Sequence, residues 1–507
     1  MALITDKLGA IMALDPSRAE IDFQGRDYSW GDIARNVRAI EQLLDAMGLP
    51  AETRIGVLLR NRPGHLAAIM AVLSTERCLV SLNPALPDDK LYADVEGLGL
   101  PVLIADETDI ERSGFGASIA RAGSAVIAIG PRLEGVRLLP GHEAPQNKIL
   151  TSPGVAIEML TSGTTGAPKR VPLTRQSFDA SLSGFTAYEK GREFADVPRL
   201  RSGVTIVSNP LTHIGGIYGC IGALLNGRKI ALLERFSVEA WVDAVRRNRP
   251  RVAPAVPSAV RMLLEADIAK EDVSSLSALI SGTAPLAAEL VDAFYEKYGI
   301  PILANYGATE FAGAIAGWRL DDFRAHWAQK RGAVGRVHSN IHARVVAADS
   351  GLEIPRGEEG LLELKGDQLG ADYRGDGDNW LRTTDRAVLD SDNFLFIKGR
   401  ADNAIIRGGF KVHPDDVVQA LNRHPAIREA AVIGVPDERL GEVPAAAIIL
   451  KDAAQSPAID DLKTWLKQHL IAYQVPVHYR FVDDYPRTPS MKPSAPGLRA
   501  LFSKGSE

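Results

Sequence analysis

Apolar positions along this chain come in short blocks separated by turn residues. In "TRIGVLLRNRPGHLAAIMAVLSTERCLVSLNPAL" they predict a strand at Ile55 to Leu59, a helix around His65 to Leu73 and a second strand at Cys78 to Leu82. Similar blocks return at "GVTIVSNP", "RKIALLE", "WVDAVRRNRP", "ALISGT" and "LVDAFYEKYGIPILANYG". The first 310 or so residues therefore read as α/β layers with parallel strands, whose trailing loops are the usual place for ligands. From about Gly332 the texture shifts to short strands and turns, as in "HARVVAADSGLEIPRGEEGLLELKG", which predicts a small β-rich subdomain. Near Arg400 it shifts again. A helix is expected at Pro414 to Asn422, strands at Ala430 to Val435, Ala445 to Leu450 and Tyr479 to Val482, and an amphipathic helix at Ile459 to Leu470. The expected fold is α/β: a large N-terminal domain over 1–399 with layered α/β subdomains and the small β-rich one, then a smaller α+β domain over 400–507.

Composition adds limits. A chain of 507 residues is too long for one core, and 46% apolar with 24% charged residues is a globular profile. The formal charge of −5 argues against nucleic-acid binding, so any phosphate recognition must be local. Cys78 and Cys220 each lie in an apolar run and read as core thiols, not as a disulfide or metal framework. The start "MALITDKLGAIMALDPSRAE" lacks a basic leader before a long apolar core, and no run reaches the roughly 18 apolar residues of a membrane helix. A cytoplasmic enzyme without a membrane span is the default expectation.

The candidate chemistry begins at "LTSGTTGAPKRVPLT", Leu160 to Thr174. Hydroxyls, flexible backbone and a lysine can hold a polyphosphate, although the stretch is not a Walker A loop and such a loop alone is more often a turn than a phosphate site. Further segments follow in order: "PLTHIGG" at Pro210 to Gly216, "SGTAPL" at Ser281 to Leu286, "NYGATE" at Asn305 to Glu310, "TTD" at Thr383 to Asp385, "KGRADNAIIRGGFKVHP" at Lys398 to Pro414, and "PRTPSMKPS" at Pro486 to Ser494. With this ordered set the chain resembles the adenylate-forming superfamily of acyl-CoA synthetases, peptide-synthetase adenylation domains and luciferases, closest in pattern to the acyl-CoA synthetases.

The resemblance implies an AMP-forming ligase using ATP, Mg²⁺ and coenzyme A, and gives each segment a role. The phosphate loop would supply Thr161, Ser162, Gly163, Thr164, Thr165, Gly166 and Lys169. Gly282, Thr283, Ala284 and Asn305 would line the nucleotide, with Tyr306 against adenine and Gly307 leaving it room. Thr309 would contact the α-phosphate and Glu310, with Thr165, would bind Mg²⁺; read alone, the Thr-Glu pair is equally a helix cap. Asp385 would accept from the ribose hydroxyls, supported by Arg400, with Ile397 nearby and Asp402 as the hinge. Alone, Arg400 and Asp402 read as a surface ion pair. Lys492 would supply the cation that adenylation needs as two anions meet. His213 would stand between acyl pocket and thiol tunnel, and Gly408, Gly409 and Lys411 would line the pantetheine channel.

Departures from the family pattern are Met491 where Gly usually precedes the catalytic Lys, Arg170 for the Gly after the loop Lys, Thr384 for the Gly before the ribose Asp, and Asn403 in "GRADN". No Asp or Glu occurs between Ser208 and Leu233 to hold an ammonium, and no Arg or Lys before Arg228, which disfavours an amino acid and weakens the case for a dicarboxylate. Gly215, Gly216, Gly219 and Gly222 are expected to leave space beside His213, Ile214, Ile217 and Tyr218, with Gly307 and Ala308 opposite. The expected substrate is an apolar aryl, alicyclic or medium-chain monocarboxylic acid. Other readings are a carrier-protein phosphopantetheine or oxygen as acceptor, and a non-catalytic nucleotide-binding descendant.

Overall fold

The first predicted strand-helix-strand unit is present as Arg54–Leu58, Pro63–Ser74 and Cys78–Leu82, with the two strands paired in parallel. The structure, a computed structural model, describes residues 3–161, 169–186, 197–369, 380–488 and 491–503. These form two compact units, one from residues 3–161, 169–186, 197–341 and 365–369, the other from 342–364, 380–488 and 491–503. Among the described residues no helix is long and apolar enough to cross a membrane.

In the first unit a seven-stranded sheet runs in the order Val136–Leu138, Ala125–Ile129, Val102–Asp106, Arg54–Leu58, Cys78–Leu82, Val155–Thr161, Lys169–Thr174. The helix Pro63–Ser74 is buried from Pro63 to Leu73 because it forms an inner layer. It shares one core with the helices Trp30–Ala46 and Ile214–Leu225, and with strands of this sheet and of a four-stranded sheet containing Ala19–Phe23 and Lys229–Leu232. A helix covered on every side has no use for a polar face, which is why its sequence is apolar from Leu66 to Leu73, with His65 near its start paired to Asp106. Leu91, Val95, Phe115 and Ile119, from the helices Asp88–Leu98 and Phe115–Ala122, cover the sheet's opposite face. Both cysteines are buried in these cores. Further along, Val252–Pro254, Ala278–Ser281 and Ile302–Ala308 pair in parallel, and Gly313–Gly317 returns antiparallel to the last of them.

Strand order reverses between Arg54–Leu58 and Val102–Asp106, and the carboxyl ends there are the standard ligand crevice of an open α/β sheet. In this chain the crevice is filled by its own charges. Arg60 binds Asp109 at 2.6 and 2.8 Å, Arg62 binds Asp106 at 2.6 Å and Glu234 at 2.7 Å, and His65 Nε2 lies 3.2 Å from Asp106. Burial alone would raise the Asp106 pKa, but the His65 hydrogen bond and the Arg62 charge outweigh it and hold the carboxyl well below the usual range.

The second unit begins with antiparallel strands including Glu359–Lys365, Leu381–Leu389 and Phe394–Arg400. A second sheet follows in the order Phe410–Val412, Ile405–Arg407, Gly441–Leu450, Ile427–Asp437, with His478–Phe481 parallel to Gly441–Leu450. The helices Pro414–Asn422 and Ile459–Lys467 pack on it through Val417, Leu421, Leu462 and Leu466. The second helix stops at Lys467, short of the expected Leu470, and a 3₁₀ turn, Ala472–Gln474, follows with the Gln474 side chain accepting from the Ile471 N–H. The β-rich strands thus pack with the C-terminal elements, so that this compact unit starts upstream of the 399/400 division expected from the sequence.

One acid is out of place in the first core. Glu20, on the strand Ala19–Phe23, is fully buried and neither carboxyl oxygen has a hydrogen-bond partner among the described residues. Desolvation raises its pKa to about 9, against the lowering effect of Arg18, Trp30 and Lys229. The folded chain therefore keeps this proton where the unfolded chain, near the ordinary 4.5, has lost it. Its contribution to stability is full below pH 4.5 and declines as pH rises toward 9, with a slope approaching ~1.4 kcal/mol per pH unit. Glu20→Gln, isosteric and always neutral, should raise Tm at pH 8 clearly more than at pH 5. An equal shift at both pH values would show that Glu20 is not held protonated.

Candidate active site

Two paired strands flank the expected phosphate loop. Strands Val155–Thr161 and Lys169–Thr174 pair antiparallel, and the last register pair is Thr161 with Lys169. Ser162, Gly163, Thr164, Thr165 and Gly166 lie outside the described residues, and Thr161 is placed by its backbone alone. Lys169 is exposed. Arg170, in place of the family's Gly, turns back onto the body of the unit, paired with Asp94 at 2.5 Å and donating to the Ser81 carbonyl at 3.0 Å. Its charge is thereby committed to the framework.

The next segments lie at the carboxyl ends of adjacent parallel strands, Ala278–Ser281 and Ile302–Ala308. A side chain at Gly282 would start 1.9 Å from Asn305 Oδ1, so Gly282 lets the Asn305 side chain lie across it in its present rotamer. Thr283 follows at φ +69°, a left-handed conformation that is strained for a β-branched residue. Its Oγ1 and the Ser281 Oγ are buried without a hydrogen-bond partner among the described residues. Orphaned hydroxyls of this kind are what a bound polar ligand would satisfy.

Gly307 is required for a similar reason: its Cβ would lie 2.2 Å from the Gly313 carbonyl oxygen across the Ile302–Ala308 and Gly313–Gly317 pairing. The connection is a 3₁₀ turn, Thr309–Phe311, entered at Ala308 with no side-chain cap, so Thr309 and Glu310 do not act as a helix cap. Tyr306 lies 6.1 Å from Phe311, ring to ring. Side chains that sequence reasoning missed pin the far side of this turn. Ser181 donates to the Ala312 carbonyl at 2.7 Å, and buried Gln368 donates to Phe311 and Ala314 at 2.9 and 3.1 Å while accepting from Asn340. A single Gln between loop residues carries no pattern that could have marked it. No three His, Cys, Asp or Glu side chains gather as a metal cage among the described residues. Glu310 alone suits Mg²⁺ carried mainly by phosphate oxygens.

His213 is the N-cap of the helix Ile214–Leu225, its Nδ1 accepting the Gly215 N–H at 3.3 Å. In the neutral ring Nε2 then carries the proton. The expected space is corrected at Gly216; a Cβ at Gly219 or Gly222 would meet its nearest atom only at 3.9 or 4.0 Å. A Cβ at Gly216 would lie 2.1 Å from the Pro210 carbonyl oxygen, so Gly216 permits a backbone contact and opens no pocket. Ile214 belongs to the core. Tyr218 packs edge-on to Phe178 with centroids 5.7 Å apart, and burial pushes its hydroxyl pKa up. The Tyr218 ring lies 3.5 Å from the Cβ position of Gly313, and Thr283 lies 3.9 Å from that of Gly215. Helix start, Thr283 loop and Glu310 turn are therefore neighbours.

The second unit holds the remaining residues. Asp385 and Arg400 are register partners across Leu381–Leu389 and Phe394–Arg400, which places both side chains on one face. Half-buried Ile397 lies on the same strand as Arg400. Arg400 binds Asp402 through two bonds of 2.8 and 2.5 Å, as the plain surface-pair reading expected. Gly408 and Gly409, at φ +57° and +88°, form the two-residue turn between Ile405–Arg407 and Phe410–Val412, a need that accounts for both glycines without a thiol channel. Lys411 is exposed on the second of these strands. Lys492 is half-buried, and desolvation followed by the Arg400 charge lowers its pKa. It forms no ion pair among the described residues.

Two family models match the chain: "AMP-binding enzyme" over residues 11–374 and "AMP-binding enzyme C-terminal domain" over 417–492. The chain is 27% identical over 497 residues to 4-coumarate–CoA ligase 3 of Oryza sativa subsp. japonica, covering 95% of this chain and 88% of that protein. It is 31% identical over 376 residues to 4-coumarate–CoA ligase 1 of Solanum tuberosum, covering 72% and 68%. The crystal structure of ATP-bound MatB from Rhodopseudomonas palustris shares the fold, with a TM-score of 0.83 over 99% of both chains at 24% identity. By its motifs, its fold and these matches, the chain belongs to the AMP-binding superfamily of adenylate-forming enzymes, among its ATP-dependent, AMP-forming CoA ligases.

Proposed function

We propose that this protein joins a carboxylic acid to ATP, releasing pyrophosphate, and then passes the acyl group from the adenylate to coenzyme A, releasing AMP. The observation that carries this reading is the state of Lys492: desolvated, without an ion pair among the described residues, and acted on by the charge of Arg400. An ammonium placed beside another cation is costly until anions join it. Nucleotide phosphate and substrate carboxylate are such anions, and Lys492 would stabilise the charge that builds as the carboxylate oxygen attacks the α-phosphorus.

The other residues take supporting roles. Thr309 would contact the α-phosphate, and Glu310 with Thr165 would hold Mg²⁺, which neutralises phosphate charge when bound. Gly282, Thr283, Ala284, Asn305, Tyr306, Gly307 and Ile397 would surround the base, with Asp385 on the ribose. His213, its tautomer set by the Gly215 N–H, would donate from Nε2 to the substrate carboxylate and act as an orienting group, not a base. For the second step the small domain, 400–507, would turn about Asp402, withdrawing Lys492 and presenting the Gly408–Gly409 hairpin and Lys411 to the thiol. Opening the partly exposed Arg400–Asp402 pair would cost only about 1 kcal/mol or less. The acid is an apolar aryl, alicyclic or medium-chain monocarboxylate. The uncharged stretch before Arg228, with Tyr218 and Ala308, supports that class, and the 4-coumarate–CoA ligases among the relatives agree with an aryl acid.

Pyrophosphate release over a panel of acids, with and without coenzyme A, should show turnover with apolar monoacids that needs the thiol to continue. Release with no acid in the panel would overturn the reading. Lys492→Ala should lose at least ~100-fold in adenylate formation yet make thioester from supplied acyl-adenylate at the parent rate; equal loss in both half-reactions would contradict its assignment. Because the Lys492 pKa lies below its ordinary 10.5 and the charged form is the active one, adenylation in the parent should fall with rising pH before that value is reached. Thr283→Gly removes a strain of roughly 1–2 kcal/mol together with the orphaned hydroxyl, and should raise both Tm and the KM for ATP. An unchanged KM would show that the hydroxyl meets no nucleotide.

A further inference from the structure

Among the described residues, several bonds hold the backbone on either side of Lys492. Arg487 and Pro493 face each other in an antiparallel bridge, and the Ser494 N–H donates to the Pro486 carbonyl at 2.7 Å. Within that closure Thr488 takes both backbone groups of Lys492: its N–H donates to the Lys492 carbonyl at 2.8 Å, and its Oγ1 accepts the Lys492 N–H at 3.2 Å. Met491 adopts φ +63°, the left-handed region that a glycine in this place would enter without penalty. With a side chain, that conformation persists only if its surroundings hold it.

The holding group is a guanidinium. Arg487, largely buried, donates from Nε and Nη2 to Asp484 at 3.0 and 2.8 Å, and from Nη2 to Glu429 at 3.0 Å. Its remaining arm, Nη1, donates to the Met491 carbonyl at 3.2 Å. Glu429 lies on the long strand Ile427–Asp437, whose pairing with Gly441–Leu450 is the backbone of this unit's second sheet. One side chain thus connects a rigid sheet to the carbonyl immediately before Lys492.

We propose that Arg487 is a positioning residue for adenylation: it clasps the strained Met491 peptide and so fixes where the Lys492 ammonium is presented. The inference rests on the reading of Lys492 as the adenylation cation. A lysine at 487 could keep one ion pair to Asp484 or Glu429, but it lacks the planar fork needed to hold both carboxylates and a carbonyl at once. A displacement of about 1 Å in a reacting group can cost on the order of 100-fold in rate.

The test uses the full chain, with pyrophosphate release and thioester formation from supplied acyl-adenylate measured separately, and Tm recorded for each variant. Arg487→Ala should lower the adenylation kcat by roughly 10- to 100-fold with little change in the thioester half-reaction. Arg487→Lys should recover most of the Tm while adenylation stays low. Adenylation returning in step with Tm, or both half-reactions falling together in either variant, would overturn the proposal. If Arg487→Ala does not fold, Arg487→Lys decides the matter alone. Lys492→Ala, run alongside, separates the two ideas. If it retains adenylation, the reading of Lys492 falls; if it loses adenylation while Arg487→Lys keeps it, only the role of Arg487 falls.

Discussion

Backbone packed on backbone, with no room for a Cβ, is the constraint on which the first unit's candidate site depends. Gly307 lies against the Gly313 carbonyl, Gly282 against the Asn305 side chain, and Gly216 against the Pro210 carbonyl. The two carbonyl contacts, at 2.2 Å for Gly307 and 2.1 Å for Gly216, are backbone on backbone and no side-chain rotation relieves them, whereas the Asn305 side chain against Gly282 could turn away. Together they set the turn that carries Thr309 and Glu310, the loop that carries Ser281 and Thr283, and the helix start capped by His213. The polar clasps of Ser181 and Gln368 then hold carbonyls that would otherwise be buried unpaired. Rigidity comes from the close approach, and hydrogen bonding preserves it.

Electrostatics divides the cations into committed and uncommitted ones. Arg60 and Arg62 fill the standard crevice of the first sheet by pairing with Asp109, Asp106 and Glu234, and Arg170 is spent on Asp94. These pairs tie strand ends together, and their charge is no longer available to an anion. Lys492 differs in kind, since its environment desolvates it and places it under the influence of another cation. In a chain of net charge −5, recognition of a polyanion has to come from such local arrangements and not from the surface as a whole.

Two of the strained backbone positions lie where these groups are presented. Thr283 and Met491 are both non-glycine residues in the left-handed region, one beside the candidate nucleotide loop and one beside Lys492. By contrast, Gly408 and Gly409 meet a comparable backbone demand without strain. The difference separates a turn built for ease from segments whose geometry is held by their neighbours.

Much of the architecture was legible in the residues. The strand Cys78–Leu82 and the helix Pro414–Asn422 fall where the apolar blocks and turn residues put them, because local period and punctuation reflect local backbone geometry. The ordered motifs likewise identified the family, since each is a short contiguous run. What the residues could not disclose is which atoms lie opposite one another across the fold. Gly216, read as open space, turned out to be a point of backbone contact, and the tight turn formed by Gly408 and Gly409 appears only in the strand pairing. Gln368 and Ser181 carry no pattern of their own and acquire meaning only from carbonyls far away in the chain, and Arg487, though inside a motif, acquires its anchorage from distant Glu429. The sequence by itself determined the periodicities and the chemical inventory. Only the tertiary structure decided the juxtapositions, because a side chain's partners depend on the path of the whole chain.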